Sequence, residues 1–236
     1  MVCGRKPGGL RRRRCSLLEQ TITSKIGDDL PVGFAAVIFD IGGVLEITPP
    51  TGWEHTWAHR LALTPAQLLG RLEPIWSQGQ LGTLSLPDVE PQIARALDLD
   101  QALLRALMDD LWAEYLGTLN ERLATCFAAL RPRYRTAILS NSFVGAREQE
   151  QTTYGFEDMC DLVVYSHEEG LKKPDPRFYE IPCQRLGVAP REAIFLDDTP
   201  ACVAGAQHVG MTAITFLDTD QAIAELDLQL GGRLGE

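Results

Sequence analysis

Lysine is scarce in this chain. Among 236 residues only Lys6, Lys25, Lys172 and Lys173 are lysines, and none falls between residues 46 and 135. Long apolar runs are missing too: no stretch approaches the roughly 20 residues of a bilayer-spanning helix, so no membrane segment and no membrane partner are expected. The basic start of the chain is followed by no apolar h-region, which argues against a signal peptide. Cys3, Cys15, Cys126, Cys160, Cys183 and Cys202 form no C-x-x-C pair. They are read as reduced thiols of a cytoplasmic protein rather than a disulfide frame or a zinc site. No internal repeat is visible.

What is present is an acidic chain with ample material for a core, at 45% hydrophobic residues and a formal net charge of −10. Six basic residues (Arg5, Lys6 and Arg11 to Arg14) crowd the first fourteen positions. With Gly and Pro among them, residues 1–33 are expected to form a disordered basic tail. Without those six, sixteen basic residues face thirty-two acidic ones. Such a surface repels nucleic acid and anionic membranes, so neither is expected as a partner.

Five short apolar runs read as buried strands: Ala35 to Phe39, Thr136 to Leu139, Leu162 to Tyr165, Ala193 to Leu196 and Thr212 to Phe216. Helical patterns alternate with the later ones. Asn120 to Leu130 precedes the second run. Asp175-Pro176 and Thr199-Pro200 open helices, each with a capping residue before a proline at the first helical position. Pro182 is expected to kink or shorten the first of these two helices. Alternation of this kind predicts an α/β fold with a parallel sheet covered on both faces. Between Asp40 and Thr136 it lapses into helical patterns at Trp53 to Leu63, Pro65 to Glu73, Pro87 to Leu97 and Gln101 to Tyr115. Thr64 and Asp100 are the expected helix caps there. A helical insert therefore follows the first strand.

Polar residues gather just past the strand ends. Asp40 follows the first strand, Ser140-Asn141 the second and Asp197-Asp198 the fourth, while Lys172-Lys173-Pro174 come shortly after the third. In an open parallel sheet these carboxyl ends share one edge, where ligands bind. Three carboxylates drawn together are best explained by a shared hard cation, and oxygen-only ligation favours Mg2+. Gly42 and Gly43 permit a tight turn whose carbonyl and N–H groups can face that ion and a phosphate.

The segments FDIGGVL, ILSNS, GLKKPDPRFY and FLDDTPACVAGAQHVGM resemble, in order, the four motifs of the haloacid dehalogenase-like (HAD) hydrolases, across about residues 34 to 217. The resemblance implies a Rossmann-like core at residues 34–46 and 119–236 with an α-helical cap at 47–118. It implies Asp40 as the nucleophile that forms an aspartyl phosphate, and Ser140 with the N–H of Asn141 as phosphoryl contacts. Lys173 would offset charge on phosphate and nucleophile, and Gly43 would border the phosphate. The Mg2+ ligands would be Asp40, the Gly42 carbonyl, Asp198 and, directly or through water, Asp197. Lys172 is expected to face solvent.

One member of the family's site is absent. Most phosphatases of the superfamily carry a second Asp two residues after the nucleophile, as general acid and base; here that position is Gly42. Help of that kind is typically worth about 10²–10⁴ in rate. The first reading is a phosphatase of the D-x-G-G-V branch acting on a small phosphorylated metabolite, with water, a cap residue or a good leaving group making up the loss. The second is different chemistry: a haloacid dehalogenase, for which the acid pair has no role, or a phosphonatase, whose cap lysine is missing. The third is a binding or regulatory protein with little turnover.

Within the insert, Trp53, Trp57, Trp76 and Trp112 are read mainly as core, with one of them able to face substrate. His55 and His59 have a zinc-compatible spacing but no third ligand; His55 or Glu54 is a candidate substitute acid. His167, Glu168 and Glu169 are read as a polar loop beside the site, Asp175 as a helix cap, and Asp158 and Asp161 as solvated.

Overall fold

The computed structural model describes residues 33–48, 51–232 and 234. The basic segment expected to be a disordered tail, with Cys3, Cys15 and Lys6, lies outside them. Strand β1 (Ala36–Phe39) is followed by the short β2 (Glu46–Ile47). Four helices come next: α1 (Trp53–Arg60), α2 (Pro65–Gln80), α3 (Leu86–Leu97) and α4 (Gln101–Leu116). After β3 (Thr118–Leu119) and α5 (Glu121–Ala129) come β4 (Arg135–Ser140), α6 (Ala146–Tyr154), α7 (Phe156–Met159) and β5 (Leu162–Tyr165). The chain ends with α8 (Ser166–Glu169), α9 (Pro176–Leu186), β6 (Ala193–Asp197), α10 (Pro200–His208), β7 (Thr212–Thr215) and α11 (Thr219–Gln229).

The five apolar runs form one sheet in the order β5-β4-β1-β6-β7, with every neighbouring pair parallel. β1 is central and fully buried. Its alternate side chains serve two separate cores. Val37 and Phe39 pack with α5 and α11, and Phe39 stacks on Phe127 with ring centroids 4.5 Å apart. Ala36 and Ile38 face Phe178, Tyr179 and Phe195 on the other side. Burial on both faces is why the run reads as continuous hydrophobics rather than an alternation. Truncating Phe39 to Ala would cost roughly 3–5 kcal/mol on this account. The register sets Phe39 beside both Ile138 and Leu196, so Asp40, Ser140 and Asp197 leave the sheet at the same edge.

Four sequence expectations need correction. α9 runs through Pro182 to Leu186, so the proline does not shorten it, because Phe178, Tyr179, Pro182 and Cys183 are all buried and packing outweighs the missing hydrogen bond. α2 likewise passes Pro74 and reaches Gln80, held by Leu68, Leu72 and Ile75. Thr199 precedes α10 but makes no side-chain cap; its N–H donates to Asp197 Oδ1 at 2.8 Å. Residues 166–169 are helix α8, not a loop. Thr64 and Asp100 do cap α2 and α4, accepting from the Gln67 and Leu103 N–H groups.

The four helices between β2 and β3 share an apolar cluster with Phe143 and Val144, and it includes the fully buried Trp57, whose Nε1 donates to Asp110 at 2.9 Å. The chain enters and leaves this unit through an antiparallel ribbon pairing Glu46 with Leu119 and Ile47 with Thr118. Two-residue strands carry no periodicity, so nothing in the sequence announced them. α2 is fastened to the sheet side by Ser166 Oγ, which donates to the Gln80 carbonyl at 2.8 Å. Lys172 Nζ donates to Gln80 Oε1 at 3.0 Å, so Lys172 is engaged with α2 rather than free in solvent. Gly82 lies so close to His167 that a Cβ there would sit 1.8 Å from the His167 carbonyl oxygen.

Candidate active site

Asp40, Lys173 and Asp197 converge at the carboxyl edge of the sheet. Lys173 Nζ lies 2.6 Å from Asp40 Oδ1 and 2.7 Å from Asp197 Oδ2. The Asp40 N–H extends the β1–β6 pairing by donating to the Leu196 carbonyl at 2.9 Å, which fixes Asp40 relative to Asp197. The ammonium is sealed from solvent and stands over the Phe195 ring, 5.5 Å from its centroid. Burial works against charge on Lys173, but Asp40 and Asp197 together outweigh it and hold the ammonium above its ordinary value. Burial pushes the Asp40 carboxyl up to about 7, with Asp197 adding to the rise and Lys173 opposing it.

The Lys173 backbone is clamped by a side chain. Asn141 Oδ1 accepts from the Lys173 N–H at 2.7 Å, and Asn141 Nδ2 donates to the Lys173 carbonyl at 3.0 Å. The sequence singled out Asn141 for its backbone N–H; its amide side chain has the further task of setting where Lys173 sits. Ser140 is buried at the end of β4 beside it.

The two neighbouring acids differ. Asp197 is fully buried, with Oδ2 on Lys173 and Oδ1 on the Thr199 N–H. Asp198 is exposed and, among the described residues, accepts a hydrogen bond from Thr199 Oγ1 alone, at 3.2 Å. Asp40, Asp197 and Asp198 each place a carboxylate oxygen within 4.8 Å of the others. Gly43, at φ +76°, closes over this group: a Cβ there would lie 2.2 Å from Asp198 Oδ2. Three hard oxygen donors under a glycine that leaves room for them fit a small divalent cation.

A cleft of about 380 Å³ opens between this edge and the four-helix unit. Gly42, Ser140 and Asn141 border it on one side, and Trp53, Trp76 and Tyr115 on the other. Trp53 and Trp76 therefore face the cleft while Trp57 is core. Trp112 packs edge-on against Tyr115, centroids 5.3 Å apart.

Sequence reasoning missed three acids near this cleft. Glu46 and Glu114 line it. Glu46 and Glu150 are buried, and each has one carboxylate oxygen with no hydrogen-bond partner among the described residues. Burial raises the Glu46 carboxyl to about 10, with Glu150 and Asp40 adding to the effect. Burial also lifts Glu150, to about 7, against the pull of the Tyr165 hydroxyl that donates to it. No local sequence pattern marks these residues.

Other candidates lie elsewhere. His55 and His59 are exposed on α1, and neither they nor Glu54 border the cleft, so the proton donor suggested at His55 or Glu54 is not placed at the site. His167 Nδ1 shares a hydrogen bond with Ser142 Oγ at 2.7 Å, and Glu168 binds Arg147 at 2.6 Å. Glu169 pairs with Arg185. Asp161 is not merely solvated: it accepts from the Thr136 N–H at 2.9 Å and from Arg131 at 3.2 Å. Asp158 is exposed and Asp175 caps α9, as expected. The four described cysteines, Cys126, Cys160, Cys183 and Cys202, are free thiols.

A family model of haloacid dehalogenase-like hydrolases matches residues 34–210. The chain belongs to this hydrolase family. It is 28% identical over 206 residues to acyl-CoA dehydrogenase family member 10 of Mus musculus, a match covering 84% of this chain but only 19% of that protein. It is 29% identical over 194 residues to a phosphatase of Mycobacterium tuberculosis, covering 77% of this chain and 87% of the relative. A HAD family enzyme from Bacteroides thetaiotaomicron, crystallised with magnesium and inorganic phosphate, superposes with a TM-score of 0.67 at 19% identity. That match covers 78% of this chain and 94% of the other, and establishes the shared fold. No helix among the described residues is long and apolar enough to cross a membrane.

Proposed function

We propose that this hydrolase is a Mg2+-dependent phosphatase of small phosphomonoesters, of the D-x-G-G-V branch and cytoplasmic, working through a phosphoenzyme on Asp40. The observation that carries the reading is the buried Lys173 held against Asp40 and Asp197 beside the solvent-facing Asp198. Asp40 and Asp198 would hold the ion, with the Gly42 carbonyl, and Asp197 would act mainly through Lys173. Bound there, Mg2+ would supply positive charge to a phosphoryl group that three carboxylates would otherwise repel.

Lys173 engages Asp40 Oδ1, which leaves Oδ2 as the attacking oxygen. A bond forms from that oxygen to phosphorus as the bond to the alcohol oxygen breaks, and water then hydrolyses the acyl phosphate. Ser140 and the Asn141 N–H are assigned to the phosphoryl oxygens, with the Gly43 turn beside them. Gly42 offers the departing alkoxide no proton, so the first step depends on the leaving group itself or on water. Residues 47–118 act as the cap, with the β2–β3 ribbon as its two connections to the core. Trp53 and Trp76 from that cap limit access of water to the cleft.

The test is turnover of p-nitrophenyl phosphate with and without Mg2+ by the wild type and Asp40→Asn. Metal-dependent turnover that falls by roughly 10³-fold or more in the variant supports the reading. Absence of turnover across a broad panel of phosphomonoesters would make the chain a binding protein on a hydrolase fold.

A further inference from the structure

We infer that the cleft beside Asp40 accepts the alcohol portion of a phosphomonoester that carries an apolar face and no second anionic group. The inference rests on the phosphatase reading and narrows its substrate class. The carboxyl side chains that line the cleft are Glu46 and Glu114, and among the described residues no Lys, Arg or His lines it. Glu114 stands near the mouth, where the Thr51 hydroxyl donates to it. Four basic groups among the described residues of the sheet edge and its adjoining helices are already engaged. Lys172 is spent on Gln80, Lys173 lies beneath Asp40 and Asp197, and the Arg147 guanidinium is bound by Glu157 and Glu168. The imidazole of His167 is occupied by Ser142.

A second phosphate or carboxylate on the substrate would therefore lose its water beside the Glu114 carboxylate and the protonated Glu46, with no cation to replace it. The opposite holds for an uncharged or cationic group. Trp53, Trp76 and Tyr115 offer ring faces for a planar apolar group or an ammonium. Phe143, set edge-on to Trp76 at 5.0 Å between centroids, stiffens that wall. The volume of about 380 Å³ suits a small molecule, near the lower end of the roughly 300–1,000 Å³ usual for such sites.

Four probes test this: p-nitrophenyl phosphate, and benzyl phosphates bearing hydrogen, 4-aminomethyl or 4-carboxyl, whose alcohols are similar leaving groups. The expected result is turnover of the first three, with kcat/KM for the 4-carboxyl compound lower than for benzyl phosphate by roughly tenfold or more. In Glu114→Lys the ratio between those two compounds should shrink by roughly tenfold, a change within one enzyme that a loss of folded protein cannot imitate. Equal turnover of the 4-carboxyl and unsubstituted compounds would overturn the substrate class and leave the phosphatase reading standing. An unchanged ratio in Glu114→Lys would overturn the role given to the wall charge. No turnover of any probe, p-nitrophenyl phosphate included, would remove both readings.

Discussion

Lys173 and Asp40 form an ion pair of 2.6 Å, closed off from solvent on the lysine side and shared with Asp197. A lone buried carboxylate is costly, and two beside one another are worse; the ammonium between them is what makes the arrangement tenable. Its energy is therefore best seen by taking it away.

Lys173→Met should destabilise the fold by about 3–5 kcal/mol, the usual cost of leaving buried carboxylates without their partner. Turnover should be lost with it. Adding Asp40→Asn to that variant removes one of the stranded charges and should recover part of the lost stability, although not activity. Chemical denaturation of the single and double variants measures this. If Asp40→Asn changes stability by the same amount in the wild type and in Lys173→Met, the two groups are not energetically coupled.

The convergence around Asp40 was legible because it follows from topology. Parallel strands share one carboxyl edge, so polar residues placed after four separate strands must meet there. Lysine scarcity sharpened the reading, since two of four lysines stand in one motif. The walls of the cleft were not legible. Phe143, Tyr115 and Glu46 reach it through the packing of a loop, a helix end and a two-residue strand that show no periodicity. Proline misled at Pro182, where burial of the surrounding face sustains a helix that local preference would shorten. Asn141 was assigned to its backbone alone because only the folded chain brings Lys173 within reach of its amide.

Gly43→Ala places a methyl group 2.2 Å from Asp198 Oδ2 and keeps a residue with a Cβ at φ +76°. The backbone cost is roughly 1–2 kcal/mol. Asp198 is exposed and can swing aside, so the fold should survive with a modestly lowered Tm. Turnover should fall more sharply, with half-maximal activity requiring about tenfold more Mg2+. Gly187→Ala is the control, since it also puts a Cβ at positive φ, +71°, where that Cβ meets no atom within 4 Å. A Mg2+ titration of both variants decides the matter: equal metal requirements would detach Asp198 from the ion.

Glu46 makes stability depend on pH. It is 1% exposed, one of its oxygens has no partner, and burial raises its carboxyl from 4.5 to about 10. Below pH 4.5 the folded and unfolded chains both hold the proton, and the group contributes nothing to the pH dependence. Between that value and about 10 the unfolded chain has released the proton while the folded one keeps it, so stability falls as pH rises. The limiting slope for one such proton is about 1.4 kcal/mol per pH unit. Glu46→Gln keeps the shape and removes the proton, so its Tm should exceed that of the wild type by a margin that widens from pH 6 towards pH 9 (roughly the middle of the window). Glu150 adds to the rise of Glu46, so the same pair of melts repeated in a Glu150→Gln background isolates the Glu46 contribution. Thermal melts at several pH values would show a constant margin if the Glu46 carboxyl were ionised throughout, and that result would also remove it as a neutral wall of the cleft.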